Sequence, residues 1–277
     1  MIPRILHQTW KTNVVPDRFV EFQQSWRRHH PAWEYRLWSD AENQDLIEQE
    51  YPQFAEFYRR LPYPILRVEF VKLAYLHRFG GLYVDLDFEA LRPIEPLLDK
   101  QSIVVGRETG GMGHWLRGRD YILNALIGST AGHSLWLDLM QQVVARFRPK
   151  KQWQIYEVYV LRSVIEIMDD LIEERRRQAD DIIVYSHRVL YPSSQAERSI
   201  AGRRNLAAHY GSFAIHHYDD SWFSPSLKLL TTLRYGWLRA WRSCFAAPLD
   251  ATLQESNSPP RAEAEYDMSF GSVSSQS

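Results

Sequence analysis

Hydrophobic and polar positions along the chain mark out alternating strand-like and helix-like segments. Ile2 to Trp10 is apolar and β-compatible, and after Val14-Val15-Pro16-Asp17 a helical pattern runs to about His30. Trp33-Glu34-Tyr35-Arg36-Leu37-Trp38 alternates and predicts a second strand. Ser39-Asp40-Ala41-Glu42 predicts a capping box. The Ser39 hydroxyl can accept from the backbone N–H near Glu42, and the Glu42 carboxylate can accept from the N–H of Ser39. Pro64 opens a further helix that stops at Gly80-Gly81, and Leu82 to Asp87 follows as a short buried strand. Ile103-Val104-Val105, Asp181 to Tyr185 and Phe213 to His217 are further strands, with helical patterns over about 133–148 and 154–178. Strands alternating with helices imply an α/β sandwich with a mostly parallel sheet. From about Asp250 the chain is rich in Ser, Pro, Glu and Gln, which predicts a disordered tail.

Composition narrows the function classes. The 277 residues suit one domain with appendages, divided here as 1–225, a C-terminal helix over 226–249 and a tail over 250–277. Lys and Arg number 33 against 34 Asp and Glu, a net charge of −1, which weighs against nucleic-acid binding. The lone Cys244 excludes an internal disulfide and a Cys-based zinc cluster. No apolar run suits a signal peptide, an anchor or a spanning helix. Leu227 to Leu249 combines Lys228, Arg234, Arg239 and Arg242 with Leu229, Leu230, Leu233, Trp237, Trp241 and Phe245, a basic amphipathic helix. Such a helix either packs back on the domain or lies on an anionic membrane surface. The expected location is cytoplasmic, with a peripheral position at the inner face of a membrane as the alternative. The 10 Trp, 15 Tyr and 12 Phe serve either as core or as flat platforms for sugars or bases.

The chemistry concentrates in Gly80-Gly81-Leu82-Tyr83-Val84-Asp85-Leu86-Asp87, where a helix ends, the chain turns and a strand delivers two aspartates. Ligand sites of open α/β sheets lie beyond the carboxyl ends of strands. Two carboxylates are costly to bury unpaired, and a divalent cation satisfies both. Strand alternation points Asp85 and Asp87 to one side. Their oxygen ligands suit Mg²⁺ or Mn²⁺, with positions left for water and phosphate oxygens. Phosphotransferases that form an aspartyl phosphate also use Asp-x-Asp, but place a hydroxyl two residues after the second Asp. Phe88 and Glu89 follow here, against that class.

Arg67 to Asp87, with Ile2-Pro3-Arg4-Ile5-Leu6-His7-Gln8-Thr9-Trp10 upstream and His216-His217-Tyr218-Asp219-Asp220-Ser221-Trp222 downstream, resembles the glycosyltransferase sugar-binding-region family containing the DXD motif. This family, glycosyltransferase family 32, includes relatives of yeast initiation α-1,6-mannosyltransferase and the inositol-phosphoceramide mannosyltransferases. Tyr63 to Arg67 and Pro93 to Leu98 look most like the latter branch, and the resemblance covers roughly residues 1–223. It implies a GT-A type, Rossmann-like α/β/α sandwich with a mixed, mostly parallel sheet. It also implies metal-dependent, retaining transfer of a hexose, in this branch mannose. The donor would be GDP-mannose or a UDP-hexose, the acceptor lipid-linked or a polysaccharide, and the metal Mn²⁺ or Mg²⁺.

The resemblance also implies residue roles. Trp10 stacks on the nucleobase. Asp85 lies near the ribose, the donor sugar and metal-bound water, and Asp87 ligates the metal directly. His217, favoured over His216, is the third ligand, and Ser221 and Trp222 meet the diphosphate. Where relatives carry Asp-x-x-Arg contacting donor hydroxyls, this chain has Glu69 and Lys72, which keep the charges but not the planar guanidinium fork. An i,i+3 pair of this kind is also an ordinary helix-surface ion pair. Asn124-Ala125, followed by Gly132-His133, resembles the stretch flanking the donor sugar. Near Tyr156-Glu157-Val158-Tyr159 the relatives' Thr-Gly-Pro is missing. These departures keep a second reading open, a degenerate sugar-nucleotide or glycan-binding module without turnover. Trp33, Trp38 and Trp136 are expected in the core.

Overall fold

The longest strand, buried at every residue, lies where a sheet is covered on both faces. In a computed structural model describing residues 1–99, 101–108, 120–146, 156–194, 197 and 199–219 (for 156–163 the backbone alone), six strands form the main sheet. They are β1 (Ile5–Thr9), β2 (Glu34–Trp38), β3 (Gly81–Val84), β5 (Ile103–Arg107), β6 (Ile122–Ser129) and β7 (Ile182–Tyr185), in the order β2-β1-β3-β6-β5-β7. Every residue of the central β3 and β6 is buried, as an internal strand requires. β1 runs parallel to β2 and β3, and β5 parallel to β7, while β6 is antiparallel to both its neighbours. A second, two-stranded sheet pairs β4 (Phe88–Ala90) with β8 (Ala214–His216).

Helices cover both faces of the main sheet. α1 (Asp17–His29) and the short α5 (Glu95–Leu98) and α8 (His187–Leu190) contribute Trp26, Leu97 and Leu190 to one core, against Leu82, Val84 and Leu126. α2 (Asp40–Glu50), α3 (Pro52–Arg60), α4 (Pro64–Arg78), α6 (Ser134–Arg146) and α7 (Tyr156–Gln178) build the other, around Phe70, Leu73, Tyr83, Ile127 and Trp136. The last helix, α9 (Ile200–Tyr210), precedes β8. This is the expected α/β/α sandwich with a mixed, mostly parallel sheet. Among the described residues no helix is long and apolar enough to cross a membrane. The expected C-terminal helix, with Trp237 and Trp241, and the tail lie outside the described residues.

Local sequence accounts for several elements. Ser39 caps α2 as expected: its N–H donates to Glu42 Oε2 at 2.8 Å, and Glu42 N–H donates to Ser39 Oγ at 3.3 Å. Pro64 occupies the first turn of α4, where its missing N–H costs nothing. α4 ends because Gly80 and Gly81 take φ of 63° and 93°. β6 was not foreseen as a strand, since Ile122-Leu123-Asn124-Ala125-Leu126-Ile127 has neither strand nor helix periodicity. Trp136 is fully buried and Trp33 nearly so, with indole N–H groups donating to Ser129 Oγ and Glu95 Oε1. Trp38 is half-buried and stacks on Tyr75 at 4.8 Å.

His7 ties three of these elements together. Its Nε2–H donates to Gly80 O at 2.9 Å, and its Nδ1 accepts from Trp38 Nε1–H at 3.1 Å. Both bonds are met only by the neutral Nε2–H tautomer. Burial pushes the imidazole from its ordinary 6.5 down to about 4. Between those pH values the unfolded chain holds a proton that the folded chain does not. The stability is therefore intact above about pH 6.5 and falls as pH drops toward 4. At about 1.4 kcal/mol per pH unit, the His7 contribution lost between pH 7 and pH 5 is about 2 kcal/mol. Denaturant titrations at the two pH values should show His7→Asn losing about 2 kcal/mol less than wild type over this interval. Equal losses would contradict the assignment.

Candidate active site

The Gly80-Gly81 turn aims β3 along β1, and the strand ends at Val84. The two aspartates lie beyond it, in a tight turn closed by Phe88 N–H donating to Asp85 O at 3.1 Å. The expectation that strand alternation points them to one side is therefore corrected: both lie past the strand end, and the turn places them. After the turn β4 pairs antiparallel with β8, placing Phe88 opposite His216. The His216 ring stacks on Phe88 at 5.1 Å, and its Nε2 stands 3.3 Å from Asp87 Oδ1. One ligand atom each from Asp85, Asp87 and His216 lies within 4.8 Å of the others. Two carboxylate oxygens and one imidazole nitrogen fit Mn²⁺ or Mg²⁺ by donor type.

The side-chain contacts favour His216 over the expected His217: His216 reaches Asp87, whereas His217, although its N–H donates to Asp87 O at 2.9 Å, turns its ring to Glu89. His217 Nε2 is bonded to Glu89 Oε2 at 2.9 Å, and its ring stacks on Phe22 at 4.2 Å. Arg204 grips the same Glu89 carboxylate through Nε and Nη2 at 3.1 and 2.9 Å. His217 thus ties the end of β8 to β4 through Glu89, and to α1 and α9 through Phe22 and Arg204. Arg203 donates to His216 O at 2.8 Å and steadies the strand end.

The chain bends sharply after β8. Tyr218 adopts φ of 51°, a strained value for a tyrosine, and its ring packs on His216 at 4.1 Å. The bend lets Asp219 N–H donate to Asp87 Oδ2 at 2.9 Å. Burial works against the charge on Asp87, but His216 and this N–H outweigh it and hold the carboxyl down at about 2. Burial likewise opposes the charge on His216, and Asp87 overcomes it, so the imidazole titrates above its ordinary value. Asp85 goes the other way: burial raises its carboxyl, with Lys72 opposing. Asp85 Oδ1 accepts from Tyr83 OH at 2.7 Å. Sequence reasoning missed Glu108, a buried carboxyl just past β5 that burial pushes up to about 7, with His216 opposing. A glutamate after Gly106-Arg107 carries no local signal.

Glu69 and Lys72, expected from the Asp-x-x-Arg resemblance to contact donor hydroxyls, form a buried pair behind Asp85. Both lie on the buried face of α4, with Lys72 fully inaccessible, and Lys72 Nζ donates to Glu69 Oε1 at 2.9 Å. The other Glu69 oxygen accepts from Asn124 Nδ2, and Lys72 also donates to Asn124 O at 3.3 Å. The pair sits beneath Asp85, 3.7 Å from Lys72 Nζ to Asp85 Oδ1. It is not a surface ion pair either. Asn124 belongs to this cluster, but Gly132-His133 does not. β6 runs away from Asp85, so those residues lie by His77 and Asp181 at the opposite end of the strand.

The His-Gln-Thr-Trp segment divides between frame and site. His7 braces Gly80, Gln8 accepts from Tyr35 OH at 2.9 Å, and Thr9 donates to Trp38 O at 2.9 Å. Trp10 is half-buried and meets Phe19 edge-on at 5.7 Å. It packs with Phe22 and Leu86, and Leu86 is the residue between the two aspartates. Ser221 and Trp222, and the side chains of Tyr156, Glu157, Val158 and Tyr159, lie outside the described residues.

Residues 16–104 match the family model described as glycosyltransferase sugar-binding region containing DXD motif. Mannosyl phosphorylinositol ceramide synthase CSH1 of Saccharomyces cerevisiae is 27% identical over 84% of this chain and 56% of its own length. Inositol phosphoceramide mannosyltransferase 3 of Schizosaccharomyces pombe is 37% identical over 51% of this chain and 37% of its own length. The matched regions thus span roughly half or less of these relatives. A solved structure of PaToxG glycosyltransferase shows 12% identity and a TM-score of 0.45 over 65% of this chain and 71% of that one. The stretch matched by the family model, residues 16–104, holds both aspartates.

Proposed function

We propose that this chain is a divalent-metal-dependent, retaining mannosyltransferase that moves mannose from a nucleotide-sugar to a glycolipid of the inositol-phosphoceramide kind. The convergence of Asp85, Asp87 and His216 beyond β3 carries the reading. The names of the similar yeast enzymes support the sugar and the acceptor. GDP-mannose is the proposed donor, with a UDP-hexose as its competitor. When bound, Mn²⁺ or Mg²⁺ supplies a Lewis acid for the departing diphosphate. Asp87 and His216 would hold that ion, with Asp85 shared between it and the donor. Trp10 would offer an indole face to the base, and Ser221 and Trp222 hydrogen bonds to the diphosphate. In a retaining transfer the acceptor hydroxyl attacks from the leaving-group side and gives its proton to the β-phosphate. No side chain need act as a dedicated base.

A donor panel tests this: GDP-mannose, UDP-glucose and UDP-galactose with Mn²⁺, with and without inositol phosphoceramide, followed by nucleoside diphosphate release. The reading expects Mn²⁺-dependent GDP release that the lipid accelerates. Donor binding without release under every condition would instead support the non-catalytic module. Trp10→Ala should raise the donor KM by about 5- to 100-fold with little change in kcat, the range of one lost base stack, and Trp10→Phe should restore most of it. An unchanged KM would remove Trp10 from the site.

A further inference from the structure

Lys72 has no exposed side-chain surface, and its ammonium faces two carboxylates, Glu69 Oε1 at 2.9 Å and Asp85 Oδ1 at 3.7 Å. It also donates to Asn124 O at 3.3 Å and lies 4.8 Å from the centre of the Tyr83 ring. Two carboxylates within 4 Å of the ammonium favour its charged form. Asp85 stands between this fixed cation and the open side of the site, its side chain 30% exposed. One of its oxygens is engaged from behind by Lys72 and by Tyr83 OH at 2.7 Å. Among the described residues no lysine or arginine pairs with Asp87; its partners are His216 and the Asp219 N–H.

We propose that Lys72 is a positioning residue that competes with the divalent ion for Asp85, so that the metal is held firmly only together with the diphosphate of the donor. This rests on the metal-dependent reading above. A cation fixed beside a ligand repels a second cation entering in front of it, and partial burial keeps that repulsion from being screened. The carboxylate charge that Lys72 neutralises must then come from elsewhere, and the diphosphate brings it. Metal binding and donor binding become coupled, each strengthening the other by the same factor. Glu69 moderates the effect by drawing part of the Lys72 charge away from Asp85.

The test is Mn²⁺ binding to the full chain, read from the loss of the free-ion electron paramagnetic resonance signal, without nucleotide and then with GDP or UDP. Wild type should bind Mn²⁺ weakly alone and at least about tenfold more tightly with one of the nucleotides. Lys72→Met should tighten nucleotide-free binding about tenfold and shrink the nucleotide effect. Glu69→Gln should weaken nucleotide-free binding, because the Lys72 charge then falls wholly on Asp85. Lys72→Arg, with the charge kept, should follow wild type. A purely structural role would weaken binding in both Lys72→Met and Glu69→Gln, so the opposed shifts are diagnostic. Folded Lys72→Met that binds Mn²⁺ no more tightly than wild type overturns the proposal. If that variant does not fold by near-ultraviolet circular dichroism, unchanged or tighter binding by Glu69→Gln overturns it. Wild type that binds no Mn²⁺ even with GDP and UDP defeats the metal reading and this inference together. Nucleotide-enhanced binding that is indifferent to Lys72 defeats the inference alone.

Discussion

Asp87→Ala should lower turnover by at least about 10³-fold while the chain stays folded, since on the proposed reading the substitution removes a direct ligand of the ion that would stabilise the leaving group. Its carboxylate is ionised, held down at about 2, and has both oxygens directed, one toward His216 and one accepting the Asp219 N–H. The backbone around it does not depend on that side chain. Phe88 N–H still closes the turn on Asp85 O, and His217 N–H still donates to Asp87 O at 2.9 Å. The β4–β8 pairing likewise rests on backbone bonds and on Glu89, His217 and Arg204. Nucleoside diphosphate release and a thermal melt on the same preparation separate lost chemistry from lost structure. A variant with native melting and wild-type release would refute the role given to Asp87.

Gly81→Ala should carry a large stability cost. A Cβ there would lie 2.5 Å from Ile5 O, on the strand that β3 pairs with, and the residue holds φ of 93°. Backbone oxygen cannot move aside as a flexible side chain can, so clash and strain add. The expected cost is about 3–5 kcal/mol, a fall in melting temperature of roughly 10 °C or more. Gly132 is the control: φ is 73°, but no atom lies within 4 Å of a Cβ placed there. Gly132→Ala should cost only about 1–2 kcal/mol, the left-handed penalty alone. Similar melting temperatures for the two variants would contradict the close approach of Gly81 to β1.

Elements written in local chemistry were legible from the residues. Ser39 and Glu42 announced the cap of α2, Pro64 and the glycine pair bounded α4, and the alternation of Trp33 to Trp38 marked β2. The aspartates stood out as a pair. What escaped depends on partners far along the chain. β6 has an apolar run that suits a buried helix or a buried strand equally, and only its pairing with β3 and β5 decides. The choice between His216 and His217 is a matter of side-chain contacts with Asp87 and Glu89, residues more than 120 positions upstream. Glu69 and Lys72 have the same i,i+3 spacing on a solvated face as under a site, so their burial beneath Asp85 was invisible until Asn124 closed over them. The Trp excess divides in the same way: Trp26, Trp33 and Trp136 are core, and Trp10 sits at the rim beside Leu86.

The central claim is that Asp85, Asp87 and His216 form one metal-holding constellation in a nucleotide-sugar enzyme. It is tested most directly by Mn²⁺ paramagnetic resonance in the presence of GDP or UDP on wild type, His216→Ala and His217→Gln. Glutamine can still donate to Glu89, so the second variant spares the β8 anchor. The account predicts that wild type and His217→Gln capture Mn²⁺ alike and that His216→Ala loses at least about tenfold in affinity, the scale of perturbing a metal's ligand set. Undiminished Mn²⁺ capture by a folded His216→Ala, or its loss only in His217→Gln, would contradict it.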